Sequence, residues 1–203
     1  MDNIVQAVVD AIENAGLIQV EVSARHAHLS QTDLEALFGR GAALTPKREL
    51  SQPGQYLSEE RIAIIGPKGK KERLAILGPV RTETQVELSK SDCVNLGIDA
   101  PVRESGDLAD SSGIILEGPN GRLHIGSGAI IAQNHIHMQP ELAGKLGLEN
   151  KQHVKVQVFT DRPLIFGDVI VRVSDKFRNY MHIDFDEANA AGMQGFTLGK
   201  IMP

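Results

Sequence analysis

His28-Leu29-Ser30-Gln31-Thr32-Asp33-Leu34-Glu35-Ala36-Leu37-Phe38-Gly39 reads as a junction. A ligand-type side chain comes first, then an apolar residue, a helix-start signature and a short apolar helix closed by glycine. The order recurs at His137-Met138-Gln139-Pro140-Glu141-Leu142-Ala143-Gly144-Lys145-Leu146-Gly147, where Pro and Glu open the helix. Glu87-Leu88-Ser89-Lys90-Ser91-Asp92-Cys93-Val94-Asn95-Leu96-Gly97 is a third copy, and His182-Ile183-Asp184-Phe185-Asp186-Glu187-Ala188-Asn189-Ala190-Ala191-Gly192 a fourth. Internal repetition of this kind bears on architecture before any single residue does. Two copies are entered through a His-x-His pair, His26-Ala27-His28 and His135-Ile136-His137. A strand alternates with period two, so both histidines of a pair share a face. Two imidazoles on one side of a strand make half a metal site at little conformational cost.

Outside the junctions the chain reads as short strands. Ile18–Ser23 alternates strictly and runs into the first pair. Glu60–Gly69 followed by Glu72–Gly78 is a hairpin with a Gly/Pro turn, and Gly113–Ile125 repeats it around Gly118-Pro119-Asn120-Gly121. Val154–Val158 and Val169–Val173 alternate as well. Helices are expected at the N-terminus and after the four ligand positions. Many short strands with few helices predict a mainly β protein: two β-barrel domains related by internal duplication, capped by short α-helices, with the metal site between them. The expected division gives residues 25–132 to a first barrel and 133–203 to a second, completed by the N-terminal strand 17–24. Residues 1–16 form an amphipathic helix, with Ile4, Val5, Val8, Val9 and Ile12 on one stripe. It reads as a cap on the body or as a docking helix for a larger assembly.

Composition sets the outer bounds. A chain of 203 residues with 41% apolar content can bury a core, and no apolar run approaches a membrane span. A net charge of −5 and few aromatics argue against nucleic acid as partner. The single cysteine, Cys93, excludes an internal disulfide, fits a reducing cytosol and reads as packing.

Six residues occupy the ligand positions: His26, His28, Glu87, His135, His137 and His182. Six divide into two ions with three protein ligands each, and three N/O ligands with an open position is the catalytic zinc pattern. Iron or manganese would satisfy the same residues. Arg81 lies six residues before Glu87, so even spacing along a strand would set it on the ligand's face. Its planar fork matches phosphate; the bland alternative is a surface ion pair. His124 and His153 read as solvated or core histidines, and Asp184, Asp186 and Glu187 as caps or supports of the ligands.

At these residues the chain resembles the PduL-type phosphate acyltransferase family, the phosphotransacylases associated with bacterial microcompartments. The matching elements are Ser23–Leu29, Leu50–Tyr56, Gly78–Arg81 with Thr84–Glu87, Ala100–Asp107, His135–Met138 and Met181–Asp184, which run through nearly the whole chain in one order. The resemblance implies two helix-capped barrels, a homodimer, two zinc ions per chain, and interconversion of acyl-CoA plus phosphate with acyl phosphate plus CoA. It assigns metal binding to the six ligand positions and phosphate binding to Arg81. It also implies a cytoplasmic enzyme of the microcompartment lumen, with residues 1–15 addressing shell or core enzymes. The mechanism expected is direct attack of phosphate on the thioester, with zinc as Lewis acid, since no Ser or Cys nucleophile stands out. Lys47, Arg48, Arg103 and Ser105 are candidate contacts for the CoA tail. The rivals are a dinuclear-metal hydrolase of phosphoesters or thioesters, and a non-enzymatic metal-stabilised binding module.

Overall fold

The computed structural model describes residues 2–202; Met1 and Pro203, the outer limits of the expected helix and second barrel, lie outside the described residues. The chain forms two compact units, one of residues 24–132 and one joining the residues up to Ser23 with those from Gln133 onward.

The unit of residues 24–132 is built on β2 (His26–His28), β4 (Tyr56–Gly66), β5 (Gly69–Gly78), β6 (Gln85–Glu87), β8 (Ser112–Gly118) and β9 (Gly121–Ala132). Pairing runs β4-β5-β2-β6-β9-β8 and returns from β8 to β4, which closes a six-strand barrel. Closure leaves no open edge in the ring. Two short strands extend it, β3 (Pro46–Glu49) beside β4 and β7 (Val102–Arg103) beside β9. Inward residues such as Ala27, Ile64, Ile76, Val86 and Leu116 meet Leu34 and Leu37 of α2 (Gln31–Phe38) and Leu96 of α3 (Lys90–Leu96) in one apolar core.

The two hairpins of this barrel hold the two helices by the same device. The Lys68 N–H donates to the Leu96 carbonyl at 2.9 Å, and the Asn120 N–H to the Leu37 carbonyl at 3.0 Å. Each bond satisfies a carbonyl left over at a helix C-terminus. Glycine makes the approach feasible: a Cβ on Gly66 would stand 2.3 Å from the Leu96 carbonyl oxygen, and one on Gly118 2.5 Å from that of Leu37.

The other unit comprises α1 (Asp2–Asn14), β1 (Leu17–Val22), β10 (His135–Met138), α4 (Pro140–Leu146), β11 (His153–Val158), β12 (Leu164–Val173), β13 (Tyr180–Ile183), α5 (Phe185–Ala190) and β14 (Thr197–Met202). Its strands close in the order β1-β13-β10-β12-β11-β14. Strand β1 runs parallel to β13 and antiparallel to β14, although most of the chain separates it from both. The pairings repeat those of the first barrel: β10 is parallel to β12 and antiparallel to β13, as β2 is to β5 and β6. Val20, Ile136, Val156, Val158, Val171 and Met181 fill the core.

His28, Glu87, His137 and His182 each stand two residues before a helix N-cap, at Ser30, Ser89, Gln139 and Asp184 respectively. Ser30, Ser89 and Asp184 accept a backbone N–H from the first turn; Gln139 makes no such bond and is followed by Pro140. The capping chemistry therefore ends each ligand strand at a fixed distance from its ligand.

Candidate active site

In the barrel of residues 24–132, His26 lies opposite Glu87 and His28 opposite Gln85 across the antiparallel β2–β6 pair. The alternate residues Ala27 and Val86 point into the barrel core, so the four polar side chains share the other face. The ligand atoms of His26, His28 and Glu87 lie within 4.8 Å of one another. His26 Nε2 is 3.5 Å from Glu87 Oε2. Both imidazoles are oriented from behind, with Nδ1 of His26 2.8 Å from the Ala24 carbonyl and Nδ1 of His28 3.2 Å from the Leu77 carbonyl. A proton donated from Nδ1 leaves Nε2 as the nitrogen that can bind a metal. Burial, helped by His26 and Arg81, pushes the His28 pKa down to about 3, so this ring is neutral at neutral pH.

Gln85 fills the fourth place of the rung. Its Nε2 donates to Glu87 Oε1 at 2.6 Å and to Ser105 Oγ at 2.9 Å, and its Oε1 accepts the Gly106 N–H at 2.8 Å. Arg81 Nη1 donates to the same Ser105 hydroxyl at 3.1 Å. Arg81 is thus tied through Ser105 and Gln85 to the carboxylate of Glu87.

Arg81 reaches the site by a different route from the one its spacing suggests. β6 begins at Gln85, so Arg81 and Glu87 are not on one continuous strand. Residues 79–84 form an irregular turn, in which the Arg81 N–H donates to the Leu29 carbonyl at 2.9 Å and Arg81 bridges Ser30. Pro79, which has no N–H to give a ladder, stands where the strand would have continued.

The second barrel repeats the rung with three histidines. His135 is opposite His182 and His137 opposite Tyr180, with Ile136 and Met181 turned into the core. The three ligand atoms again lie within 4.8 Å of one another. Ring centroids are 4.6 Å apart for His135–His137, 5.0 Å for His137–His182 and 5.3 Å for His135–His182. Burial, with His135, His182 and Arg172 adding to it, pushes the His137 pKa down to about 2. Nδ1 of His135 is 2.8 Å from the Gln133 carbonyl, the counterpart of His26 and Ala24. His137 departs from the pattern. Its buried Nδ1 has no hydrogen-bond partner, and its ring stacks on Phe177 at 4.1 Å and 29°.

Asp184 and Glu187 form a capping box on α5, and Glu187 also accepts from Asn134 Nδ2 at 2.6 Å, steadying the residue that precedes His135. Burial pushes the Glu187 pKa up. The exposed Lys47 and Arg48 lie on the edge strand β3, Lys47 paired with Glu59 at 2.8 Å. Arg103 ends β7, 3.6 Å from Asp107. Of these four residues, Ser105 is the one bonded to Arg81. His124 is exposed on β9, His153 pairs with Asp168 at 2.6 Å, and Cys93 is buried with its thiol pKa raised by burial.

Imidazoles and a carboxylate in sets of three suit a borderline divalent cation with a position left for a further ligand. Three neighbours of the ligands were not singled out from the sequence: Gln85, Tyr180 and Phe177. The duplication contains the signal for two of them, since Gln85-Val86-Glu87 and Tyr180-Met181-His182 align with His26-Ala27-His28. Phe177 lies in a loop outside the repeat.

A duplicated six-strand β-barrel protein, with a group of three candidate metal ligands on one strand pair of each barrel, is the class these observations define. The phosphate propanoyltransferase family model matches residues 19–194. The chain belongs to this family of acyltransferases. It is 45% identical over 202 residues to a phosphate propanoyltransferase of Clostridioides difficile, covering 100% of this chain and 97% of the relative. Identity to the protein of that name from Listeria monocytogenes is 48% over 185 residues, covering 91% of this chain and 87% of the relative. For the one from Thermotoga maritima it is 53% over 175 residues, covering 86% and 83%.

Proposed function

We propose that this chain is a phosphate acyltransferase, interconverting acyl-CoA (propionyl- or acetyl-CoA) plus phosphate with acyl phosphate plus CoA. The observation that carries the reading is the chain of contacts from Arg81 through Ser105 and Gln85 to Glu87. It fixes a phosphate-matching guanidinium beside candidate ligands, in a protein whose relatives are named phosphate propanoyltransferase.

The six residues His26, His28, Glu87, His135, His137 and His182 would hold two zinc ions per chain. When bound, zinc supplies Lewis acidity toward the substrate oxygens. The residues do the rest. Arg81 pairs two phosphate oxygens with its fork and, held by Ser105, presents the anion at a set angle. A phosphate oxygen attacks the thioester carbonyl carbon, a C–O bond forms, and the C–S bond breaks as CoA leaves as thiolate. Gln85 keeps Glu87 and the 104–107 loop in register while this happens. Arg48 is a proposed anchor for the CoA phosphates; Arg103 and Lys47 would serve after leaving Asp107 and Glu59.

Among the described residues no helix is long and apolar enough to cross a membrane. Ile4, Val5, Val8 and Val9 of α1 are exposed, which supports a docking role toward shell or core enzymes of a microcompartment. A homodimer is proposed with it. The test is phosphate-dependent consumption of propionyl- and acetyl-CoA with acyl phosphate formed in equal amount. Thioester loss without a phosphate requirement would replace the transferase reading with a hydrolase.

A further inference from the structure

The two barrels orient the second histidine of their pairs by different means. In the first, Nδ1 of His28 lies 3.2 Å from the Leu77 carbonyl on the neighbouring parallel strand β5. In the second, β12 is the equivalent neighbour, and the register sets Arg172 opposite His137. The Arg172 carbonyl is therefore the counterpart acceptor, yet Nδ1 of His137 makes no hydrogen bond although it is buried. What meets this ring is a face. Phe177 stacks on it at 4.1 Å and 29°, and Arg172 Cζ lies 5.9 Å from the centroid of the same phenyl ring.

Phe177 is delivered by the loop between β12 and β13, and that loop is pinned at several points. The Ser174 N–H donates to the Met138 carbonyl at 3.0 Å and the Phe177 N–H to the Ser174 carbonyl at 3.2 Å. Asn179 Oδ1 accepts the Gln139 N–H at 2.8 Å, and Asn179 Nδ2 donates to Glu13 Oε1 at 2.7 Å. Two of these bonds end on Met138 and Gln139, the residues directly after His137. The loop that carries the phenyl ring is thus fastened to the strand that carries the imidazole.

We propose that Phe177 is a positioning residue: its ring fixes the plane of the His137 imidazole, and with it the metal affinity of the His135–His137–His182 group. It takes the part that the Leu77 carbonyl plays for His28. The inference rests on the reading of the two groups as metal sites. An imidazole without an orienting partner samples ring rotations that do not aim its nitrogen at a shared point, and loss of such partners lowers metal affinity.

The test is competitive titration of the whole chain with Zn2+ and Co2+ against a chelator, for wild type, Phe177→Leu and Phe177→Tyr. The wild type is expected to bind two ions. Phe177→Leu should weaken one of them by about 10–100-fold, leave the other within about twofold, and change the Co2+ absorption bands of the weakened site. Phe177→Tyr keeps the ring and should restore both. A metal-free melting temperature close to wild type checks that the Leu variant is folded; Phe177→Met, whose unbranched chain adapts to an irregular gap, replaces it if it is not. Two ions of wild-type affinity with unchanged Co2+ bands in Phe177→Leu would overturn the proposal alone. Wild-type protein that takes up neither ion overturns the metal reading beneath it, before any variant is made.

Discussion

In one barrel the rung of candidate ligands is His26, His28 and Glu87, with Gln85 in the fourth place; in the other it is His135, His137 and His182, with Tyr180 there. The backbone geometry is shared, and the chemistry is not. A carboxylate in the first rung would offset part of a bound dication's charge, while imidazole ligands alone in the second would offset none. Gln85 binds three groups at once and links its rung to Arg81. In the second rung, Arg172 stands over Phe177, which stacks on His137. Duplication supplied two equivalent frames, and the fourth residue and the following loop make them chemically different.

The largest expected effect tests whether both rungs are needed. Chelation should abolish acyl phosphate formation and added Zn2+ should restore it; His28→Ala and His137→Ala should each be inactive. A metal-free protein that retains full turnover would break the reading of both rungs. Next comes Arg81→Ala, which should lower turnover by about 10²–10³-fold with metal content unchanged. Loss of metal in that variant would show that Arg81 holds the rung together rather than the phosphate.

Gln85→Ala should cost about 10–100-fold, most of it as a raised KM for phosphate. Tyr180→Phe, at the matching place in the other barrel, should leave that KM unchanged. Equal effects from the two substitutions would erase the distinction between the rungs.

The smallest effect concerns pH. His28 and His137 are held neutral, with pKa values near 3 and 2 against an ordinary 6.5. Below pH 6.5 the unfolded chain takes up protons that the folded rings refuse, so their contribution to stability is intact above 6.5 and declines as pH falls toward 3. The chelated protein should therefore melt at a lower temperature at pH 5 than at pH 8, and replacing either histidine with Gln should flatten the dependence. An unchanged melting temperature between those two pH values in the chelated wild type would contradict the burial of these rings as neutral groups.

The parts of the molecule written in local chemistry were readable from the chain. Period-two pairs such as His26-Ala27-His28, and caps such as Ser30, Ser89 and Asp184, act within a few residues, so the mainly β barrels and the ligand-then-helix units could be read directly. The grouping of candidate ligands into two sets of three needed register: it follows from His26 facing Glu87 and His135 facing His182. Arg81 shows where spacing misleads. Even separation from Glu87 implied one strand, but the turn after Pro79 carries it to Ser30 and then to Ser105. Phe177 was not legible at all, because its contact with His137 depends on how the 174–179 loop is fastened.

Strand β1 carries a consequence for how the molecule is made. Residues 24–132 form their barrel from one uninterrupted run, so it can close while the rest of the chain is still being synthesised. The other barrel cannot, because β1 leaves the ribosome well before β13 and β14, the two strands that cover its edges. Until then it presents unpaired N–H and C=O groups and an apolar face to whatever it meets. The order of translation thus lets one barrel close before the other and leaves Leu17–Val22 without its partner strands in between.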